Sequence, residues 1–274
     1  MIKRVLLATD GSSPAVAAER LAAWLAYKAE AVLEVLYVRD IRLIRMPELM
    51  DWGAISVPMP VYHEEIEKIL SARAEAVLRR VQREIENSGV DVEPVVQTGV
   101  PYQVIAEEAR TADLVVIGRA GEASGHEATG LGSTAERVIR TSPTPVIVAS
   151  LEPRQPQRLL LAYDGSDPAT RAMHITAELA ATLGLPAVVL TVNDDLVKAE
   201  SLAAEAVSYL EEHGVRAEIQ TAAGEPDERI LEAQTPDDLL AMGAFGKGLI
   251  RNLLLGSTAE LVLRRAVGSV LIVR

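Results

Sequence analysis

Short apolar runs alternate with longer amphipathic segments along the whole chain. The runs of the first half lie at residues 4–9, 31–38, 92–97, 114–117 and 146–149. They are rich in valine, isoleucine and leucine and lack polar alternation, which is typical of strands buried on both faces of a parallel sheet. In 14–29 and 62–87, apolar residues recur at three- and four-residue spacing, which predicts two helices with one buried face each. The residues assigned to this face in 62–87 are Ile66, Ile69, Leu70, Val77, Val81 and Ile85.

The order of these elements predicts the fold class. Strands that alternate with helices form right-handed crossovers, and therefore an α/β fold with a doubly wound parallel sheet. Ser12 and Ser13 before Pro14, like Ser166 and Asp167 before Pro168, are candidate caps for the helix that follows. Ligands of such sheets bind beyond the carboxyl ends of the strands, so functional residues are expected there.

The second half of the chain repeats the motifs of the first half in the same order. The matched segments are Asp10-Gly11-Ser12 with Asp164-Gly165-Ser166, Gly99-Val100-Pro101 with Gly224-Glu225-Pro226, and Gly132-Ser133-Thr134 with Gly256-Ser257-Thr258. A polar segment containing Pro153 and Pro156 separates the copies, and proline keeps such a linker extended. We therefore predict one domain at 1–151, a linker at 152–158 and a second domain at 159–274.

The first copy carries extra chain in its middle, mostly at 39–60. This stretch has no clear periodicity, and it contains Met46, Met50, Trp52 and Met59. A long loop in a compact domain is usually functional or disordered. Its methionines and tryptophan are consistent with a lid or with a contact to another subunit.

Composition narrows the classes of function. A formal net charge of -12 and a pI near 4.9 disfavour binding to nucleic acid or to an anionic membrane surface, which require basic surface. Aromatic residues make up only 3% of the chain, which leaves little surface for stacking single-stranded bases. The sequence has no cysteine, so disulfides, thiolate metal sites and cysteine nucleophiles are excluded. We expect a cytoplasmic protein without a membrane span.

The segment after the fourth apolar run of the second half has the composition of a phosphate-binding loop. It reads Gly243-Ala244-Phe245-Gly246, then nine residues, then Gly256-Ser257-Thr258 at the start of a predicted helix. Glycine lets the backbone approach an anion closely, and a helix start offers unpaired N–H groups with a partial positive charge. Lys247 and Arg251 would add positive charge. A glycine-rich surface turn before an ordinary helix remains the alternative.

Each half resembles the universal stress protein family. Its ATP-binding members carry a glycine, two residues, a second glycine, nine residues, a third glycine and then serine or threonine; Gly243, Gly246, Gly256 and Ser257 match this pattern. The resemblance implies a Rossmann-like, five-stranded parallel sheet in the order 3-2-1-4-5 in each half, with pairing through the last strands. We therefore expect 145–149 to meet 270–274 within the chain, and a further homodimer stays open.

The resemblance also implies which residues bind an adenine nucleotide, ATP or ADP, with Mg²⁺. In the second half Asp164 would face the adenine, Val192 would contact it through its backbone, and Met242 and Gly243 would border the ribose and phosphates. The phosphates would rest on Gly246, Gly256, Ser257 and Thr258. The matching residues of the first half are Asp10, Val38, Ile117, Gly118, Gly121, Gly132, Ser133 and Thr134. From the residues alone, Asp10 and Asp164 could equally cap the following helix.

The first copy departs from the family pattern. Ten residues separate Gly121 from Gly132, and they include Glu122, His126 and Glu127. Carboxylates near a phosphate are unfavourable unless a metal ion intervenes. If the longer loop is impaired, Gly256→Val should weaken binding more than Gly132→Val.

Three functions are compatible with these motifs. The leading one is a non-catalytic ATP sensor whose glycine loops are read by a protein partner that the sequence does not name. A slow ATPase or other nucleotide hydrolase is the alternative, although the sequence has no Gly-x-x-x-x-Gly-Lys-Ser/Thr loop. A flavin-binding or pyrophosphatase relative on the same fold is a third option, since fold does not fix function.

Overall fold

The computed structural model describes residues 1–43, 59–85, 89–121, 130–245 and 255–274. In the first half, the strands are β1 (Arg4–Ala8), β2 (Val32–Asp40), β3 (Val92–Gly99), β4 (Leu114–Ile117) and β5 (Val146–Val148). The helices of this half are α1 (Ala15–Ala29), α2 (Met59–Ile85), α3 (Pro101–Glu108) and α4 (Ser133–Thr141), and a short 3-10 turn follows α3 at Ala109–Thr111.

The second half repeats this order of strands and helices. Its strands are β6 (Arg158–Ala162), β7 (Ala187–Val192), β8 (Ala217–Ala222), β9 (Asp238–Gly243) and β10 (Ser269–Val273). Its helices are α5 (Asp167–Leu183), α6 (Leu196–Glu212), α7 (Pro226–Ala233) and α8 (Ser257–Arg265). None of the helices in the described ranges is both long enough and apolar enough to cross a bilayer.

The strands of both halves form one ten-stranded sheet in the order β3-β2-β1-β4-β5-β10-β9-β6-β7-β8. Each half contributes five parallel strands in the order 3-2-1-4-5, so the predicted fold class is confirmed. The two halves join where β5 and β10 pair antiparallel, with Ile147 opposite Leu271. The central strands present apolar side chains to both faces of the sheet, as their uninterrupted apolar runs require. The prediction that 92–97 is buried on both faces is wrong, because β3 lies at the edge of the sheet and its residues are exposed or half-buried.

Helices cover both faces of the sheet, and a hydrophobic cluster lies under each layer. One cluster combines α1, α2, α5 and α6 with residues such as Leu7 and Leu161 of the central strands. The other combines α3, α4, α7 and α8 with the alternate strand residues, such as Leu6 and Leu160. Each cluster runs through both halves of the chain, so the sheet and its two helix layers share a continuous core.

The two equivalent helices after β1 and β6 begin differently. Ser166 caps α5 by accepting a hydrogen bond from the Ala169 N–H at 3.3 Å, as its position before proline predicts. By contrast, α1 follows Pro14, and no side chain of the described residues caps it, so the predicted cap at Ser12 or Ser13 is wrong.

Helix α2 extends further towards its N-terminus than the equivalent helix of the second half. The buried positions Leu70, Val77, Val81 and Ile85 follow the predicted periodicity, whereas Ile69 is 59% exposed and was wrongly assigned to the buried face. Helix α6 is the equivalent of α2 in the second half. When the two copies are aligned at Gly89 and Gly214, Leu196, the first residue of α6, corresponds to residue 71. Residues 59–70 of α2 therefore belong to the extra chain of the first copy.

Candidate functional site

A cleft lies at the carboxyl ends of β1, β2 and β4, beside the N-terminus of α4. It has a volume of about 460 Å³, and we call it the first cleft. All eight residues that the sequence assigns to the first half line it: Asp10, Val38, Ile117, Gly118, Gly121, Gly132, Ser133 and Thr134. They come from four segments that the topology gathers at one edge of the sheet, which is where ligands of doubly wound folds bind.

Two glycines in this cleft stand where a Cβ atom would come close to neighbouring atoms. A Cβ atom at Gly121 would lie 2.6 Å from Asp10 Oδ2, and one at Gly118 would lie 3.2 Å from the Ala120 carbonyl oxygen and 3.4 Å from Ala15 Cα. Gly118 therefore lets α1 pack closely against the end of β4. The absence of a side chain at Gly121 leaves room for the Asp10 carboxylate in the cleft.

The start of α4 is suited to an anion. Its N-cap residue is Gly132, with φ -68° and ψ 150°, and no side chain from the described ranges caps the helix. The first N–H groups of a helix have no partner within the helix, and they carry a partial positive charge. The Gly132 N–H donates to the Arg119 carbonyl oxygen at 2.8 Å, which fixes the glycine loop against the helix start. The Ser133 and Thr134 hydroxyls add two further donors at this end of the cleft.

Asp10 and Asp164 each organise the turn that follows their strand. Asp10 Oδ1 accepts the Ser12 N–H at 3.0 Å, and Asp164 Oδ1 accepts the Ser166 N–H at 2.9 Å. Each aspartate also lines the cleft of its own half. In both copies, the aspartate therefore stabilises the turn and also lines the cleft.

Charged residues that were not predicted from the sequence also line the first cleft. Arg73 of α2 donates to the Asp10 carbonyl oxygen at 3.5 Å. Arg42 makes a forked ion pair with Asp40 at 2.6–3.1 Å, and this hydrogen bonding raises the pKa of the Arg42 guanidinium. The sequence did hold a signal for Arg73, because it lies three residues after Leu70 and four before Val77, within the apolar stripe of α2.

Arg119 lines the first cleft and also contacts the other half of the chain. Its guanidinium is buried, and it donates to the carbonyl oxygens of Ala266 at 2.8 Å and Gly268 at 3.2 Å. Burial lowers the pKa of Arg119 from its ordinary value. The loop that closes the first cleft is thereby tied to the turn between α8 and β10.

The equivalent cleft of the second half is smaller, with a volume of about 100 Å³, and we call it the second cleft. The predicted residues that line it are Asp164, Val192, Met242, Gly243 and Thr258. Gly256 and Ser257 form the N-cap and first residue of α8 but are not among the residues that line the cleft. Gly246, Lys247 and Arg251 lie outside the described residues.

Close packing also explains one glycine of the second cleft. A Cβ atom at Gly243 would lie 2.8 Å from Pro168 Cβ and 2.9 Å from the Ala169 nitrogen, so α5 could not approach the end of β9. Two large aromatic residues that were not predicted, Tyr163 and Phe245, line this cleft. Across the described residues of both halves, no cluster of three or more histidine and acidic side chains is arranged to hold a metal ion.

Comparisons with known proteins agree with this architecture. A protein-family model described as the universal stress protein family matches residues 1–150 and 156–274. A universal stress protein from Synechocystis sp. is 29% identical over 279 residues, which cover 96% of this chain and 97% of the relative. One from Methanocaldococcus jannaschii is 31% identical over 151 residues, which cover 54% of this chain and 82% of the relative.

A solved structure shares the whole arrangement. A universal stress protein from Archaeoglobus fulgidus superposes with a TM-score of 0.76 at 24% identity, and the match covers 99% of this chain and 98% of that one. At this level of identity the likeness establishes the fold alone. The family model, by contrast, matches both copies of the repeat over nearly all of their length. The chain belongs to the universal stress protein family.

Proposed function

We propose that this chain binds an adenine nucleotide, ATP or ADP, at the carboxyl edge of its sheet and acts as a nucleotide-dependent regulator in a stress response. The observation that carries the proposal is the first cleft, where all eight residues expected to contact the nucleotide come together. Its volume of about 460 Å³ falls within the range of roughly 300–1,000 Å³ that is usual for small-molecule sites.

The chemistry of the lining supports a nucleotide with its phosphates at α4. Leu36, Val38 and Ile117 offer apolar surface to a base, whereas Ser133 and Thr134 offer hydroxyl and backbone donors to phosphates. The polar and apolar parts of the cleft thus suit the two ends of the ligand. Magnesium would arrive with the phosphates, because the described residues do not provide a cluster of metal ligands of their own.

The carboxylates of the first cleft support regulation instead of rapid hydrolysis. Asp10 accepts the Ser12 N–H, and Asp40 is held in the forked pair with Arg42. A general base must be placed to accept a proton from the attacking water, and in each of these carboxylates at least one oxygen is already engaged as an acceptor in the protein. We therefore expect the bound nucleotide to be turned over slowly.

Ligand identity and turnover can be measured on the same purified protein. The chain is incubated with Mg-ATP, freed of unbound ligand by rapid gel filtration and denatured, and the released ligand is identified by mass spectrometry. We expect ATP or ADP, with phosphate release far below the rate of about 1 per second that is common for enzymes. Recovery of no adenine nucleotide would contradict the binding proposal, and steady release near that rate would contradict the regulatory role.

A further inference from the structure

The two clefts occupy equivalent places in the repeat, but they differ in size. The first has a volume of about 460 Å³ and the second about 100 Å³. Sites for small molecules usually reach roughly 300 Å³ or more, so only the first has the room that such a ligand needs. One difference in helix length and two substitutions distinguish the described linings of the two clefts.

The first difference is the wall that α2 provides. Its N-terminal part places Leu70, which is 8% exposed, and Arg73 on the lining of the first cleft. The equivalent helix α6 begins only at Leu196, after the Asp195 cap, and its first two residues, Leu196 and Val197, are exposed. Leu70 therefore lies in the part of α2 that α6 lacks. Arg73 corresponds to Lys198 of α6, which is not among the described residues that line the second cleft.

The second difference lies in the glycine loops. After the paired glycines Gly118 and Gly243, the first copy continues with Arg119-Ala120 and the second with Ala244-Phe245. Ala120 and Phe245 both line their clefts, so a phenyl ring stands where the first copy has a methyl group. Phe245 is half-buried and packs against the hydrophobic cluster under α7 and α8, which holds its ring at the cleft.

The third difference lies at the end of the first strand of each copy. Thr9 of the first copy corresponds to Tyr163 of the second. Tyr163 is buried, and its hydroxyl donates to Glu205 Oε1 at 3.3 Å. This hydrogen bond fixes the position of the ring. Burial raises the pKa of Tyr163, so the hydroxyl keeps the proton that it donates. The ring lines the second cleft, where the first copy has the smaller threonine.

On the basis of the nucleotide-binding function proposed above, we propose that the first cleft takes the nucleotide and that Phe245 and Tyr163 exclude it from the second. The full chain then binds one nucleotide, although only the glycine pattern of the second copy matches the family spacing in full. This reverses the ranking that the spacing of the glycines suggests, because the volume available to the ligand depends on side chains whose identity the glycine spacing does not specify.

The number of sites and their location are tested by equilibrium dialysis of the full chain with Mg-ATP. We expect one nucleotide per chain. Gly132 and Gly256 have nearly the same backbone angles, with φ -68° and -63°, so valine is permitted at either position and the two variants form a matched pair. Gly132→Val should weaken binding at least about tenfold, which is 1.4 kcal/mol, whereas Gly256→Val should leave it unchanged.

A reciprocal exchange tests the role of the phenyl ring. Phe245→Ala should add a second, weaker binding event at millimolar ATP, and Ala120→Phe should weaken the first. Ala120 is only 5% exposed, so circular dichroism is used to check that Ala120→Phe folds. If this variant does not fold, Gly132→Val is used to test whether the nucleotide binds in the first cleft.

The outcomes separate this inference from the function on which it rests. Two equal sites in the wild type, or loss of binding in Gly256→Val but not in Gly132→Val, would overturn the inference and leave the proposed function standing. A Phe245→Ala variant that still binds only one nucleotide would overturn the role of the ring. Absence of any binding by the folded wild type would overturn the proposed function itself.

Discussion

Gly11 shows how one residue shapes the turn between β1 and α1. It adopts φ +75°, in the left-handed region that side chains rarely occupy, and a Cβ atom there would overlap with Val77 Cγ2 of α2. The equivalent residue Gly165 has φ +71°. The glycine of the Asp-Gly-Ser motif is therefore required by the turn itself in both copies, apart from any contact of the aspartate with a ligand.

We expect Gly11→Ala to destabilise the fold by about 2–4 kcal/mol, since a left-handed alanine and an overpacked contact both contribute. Gly184→Ala is the matched control, because Gly184 has φ +67° but a Cβ atom there would meet no described atom within 4 Å. It should cost only about 1 kcal/mol. Urea unfolding followed by circular dichroism measures the stability of both variants. Equal losses of stability would show that overlap with Val77 does not contribute to the effect of Gly11→Ala.

Helix α2 is the element that most distinguishes the first copy. Towards its C-terminal end it packs on the sheet and reaches a buried carboxylate of α1, Glu19, which is 2% exposed. Arg80 donates to both oxygens of Glu19 at 2.8 Å, and the Thr9 hydroxyl donates to Glu19 Oε1 at 2.6 Å. This network joins α1, α2 and the end of β1 beside the first cleft.

Removing Arg80 should leave the Glu19 carboxylate buried without its charged partner. We expect Arg80→Ala to lower the free energy of unfolding by about 3 kcal/mol, as is common when one partner of a buried pair is removed. Arg79→Ala is the control on the same helix. The Arg79 side chain is 66% exposed and pairs with the exposed Glu75, so its loss should change stability by less than about 1 kcal/mol. Similar losses in the two variants, measured by urea unfolding, would contradict the network.

The helices and strands were largely predictable, because their apolar periodicity follows directly from burial. The misassignments have local physical causes. Ile69 fits the spacing of the α2 stripe but lies 59% exposed, where the helix extends beyond the core. The serines before Pro14 resemble Ser166 before Pro168, yet of these Ser166 is the one that caps its helix. A pattern of residue types does not specify which hydroxyl reaches an N–H group.

At the scale of the whole molecule, the two copies share one sheet and one pair of cores. The pairing of β5 with β10, the Ser150 N–H bonded to Ser269 Oγ at 3.0 Å and the Arg119 contacts all join the halves. Strand order and site residues were implied by the family resemblance, and the first cleft brings together every residue implied for its half. The unequal volumes were not predictable, because they depend on how Phe245, Tyr163 and α2 pack in three dimensions.

Calorimetric titration of the folded full chain with Mg-ATP tests the central claim most directly. The cleft geometry predicts a saturable heat of binding with one nucleotide per chain, because the nucleotide must exchange its hydration for contacts at α4 and along the ends of the strands. A titration that shows no heat of binding at millimolar Mg-ATP at several temperatures, with the protein folded by circular dichroism, would contradict the claim that this cleft is a nucleotide site.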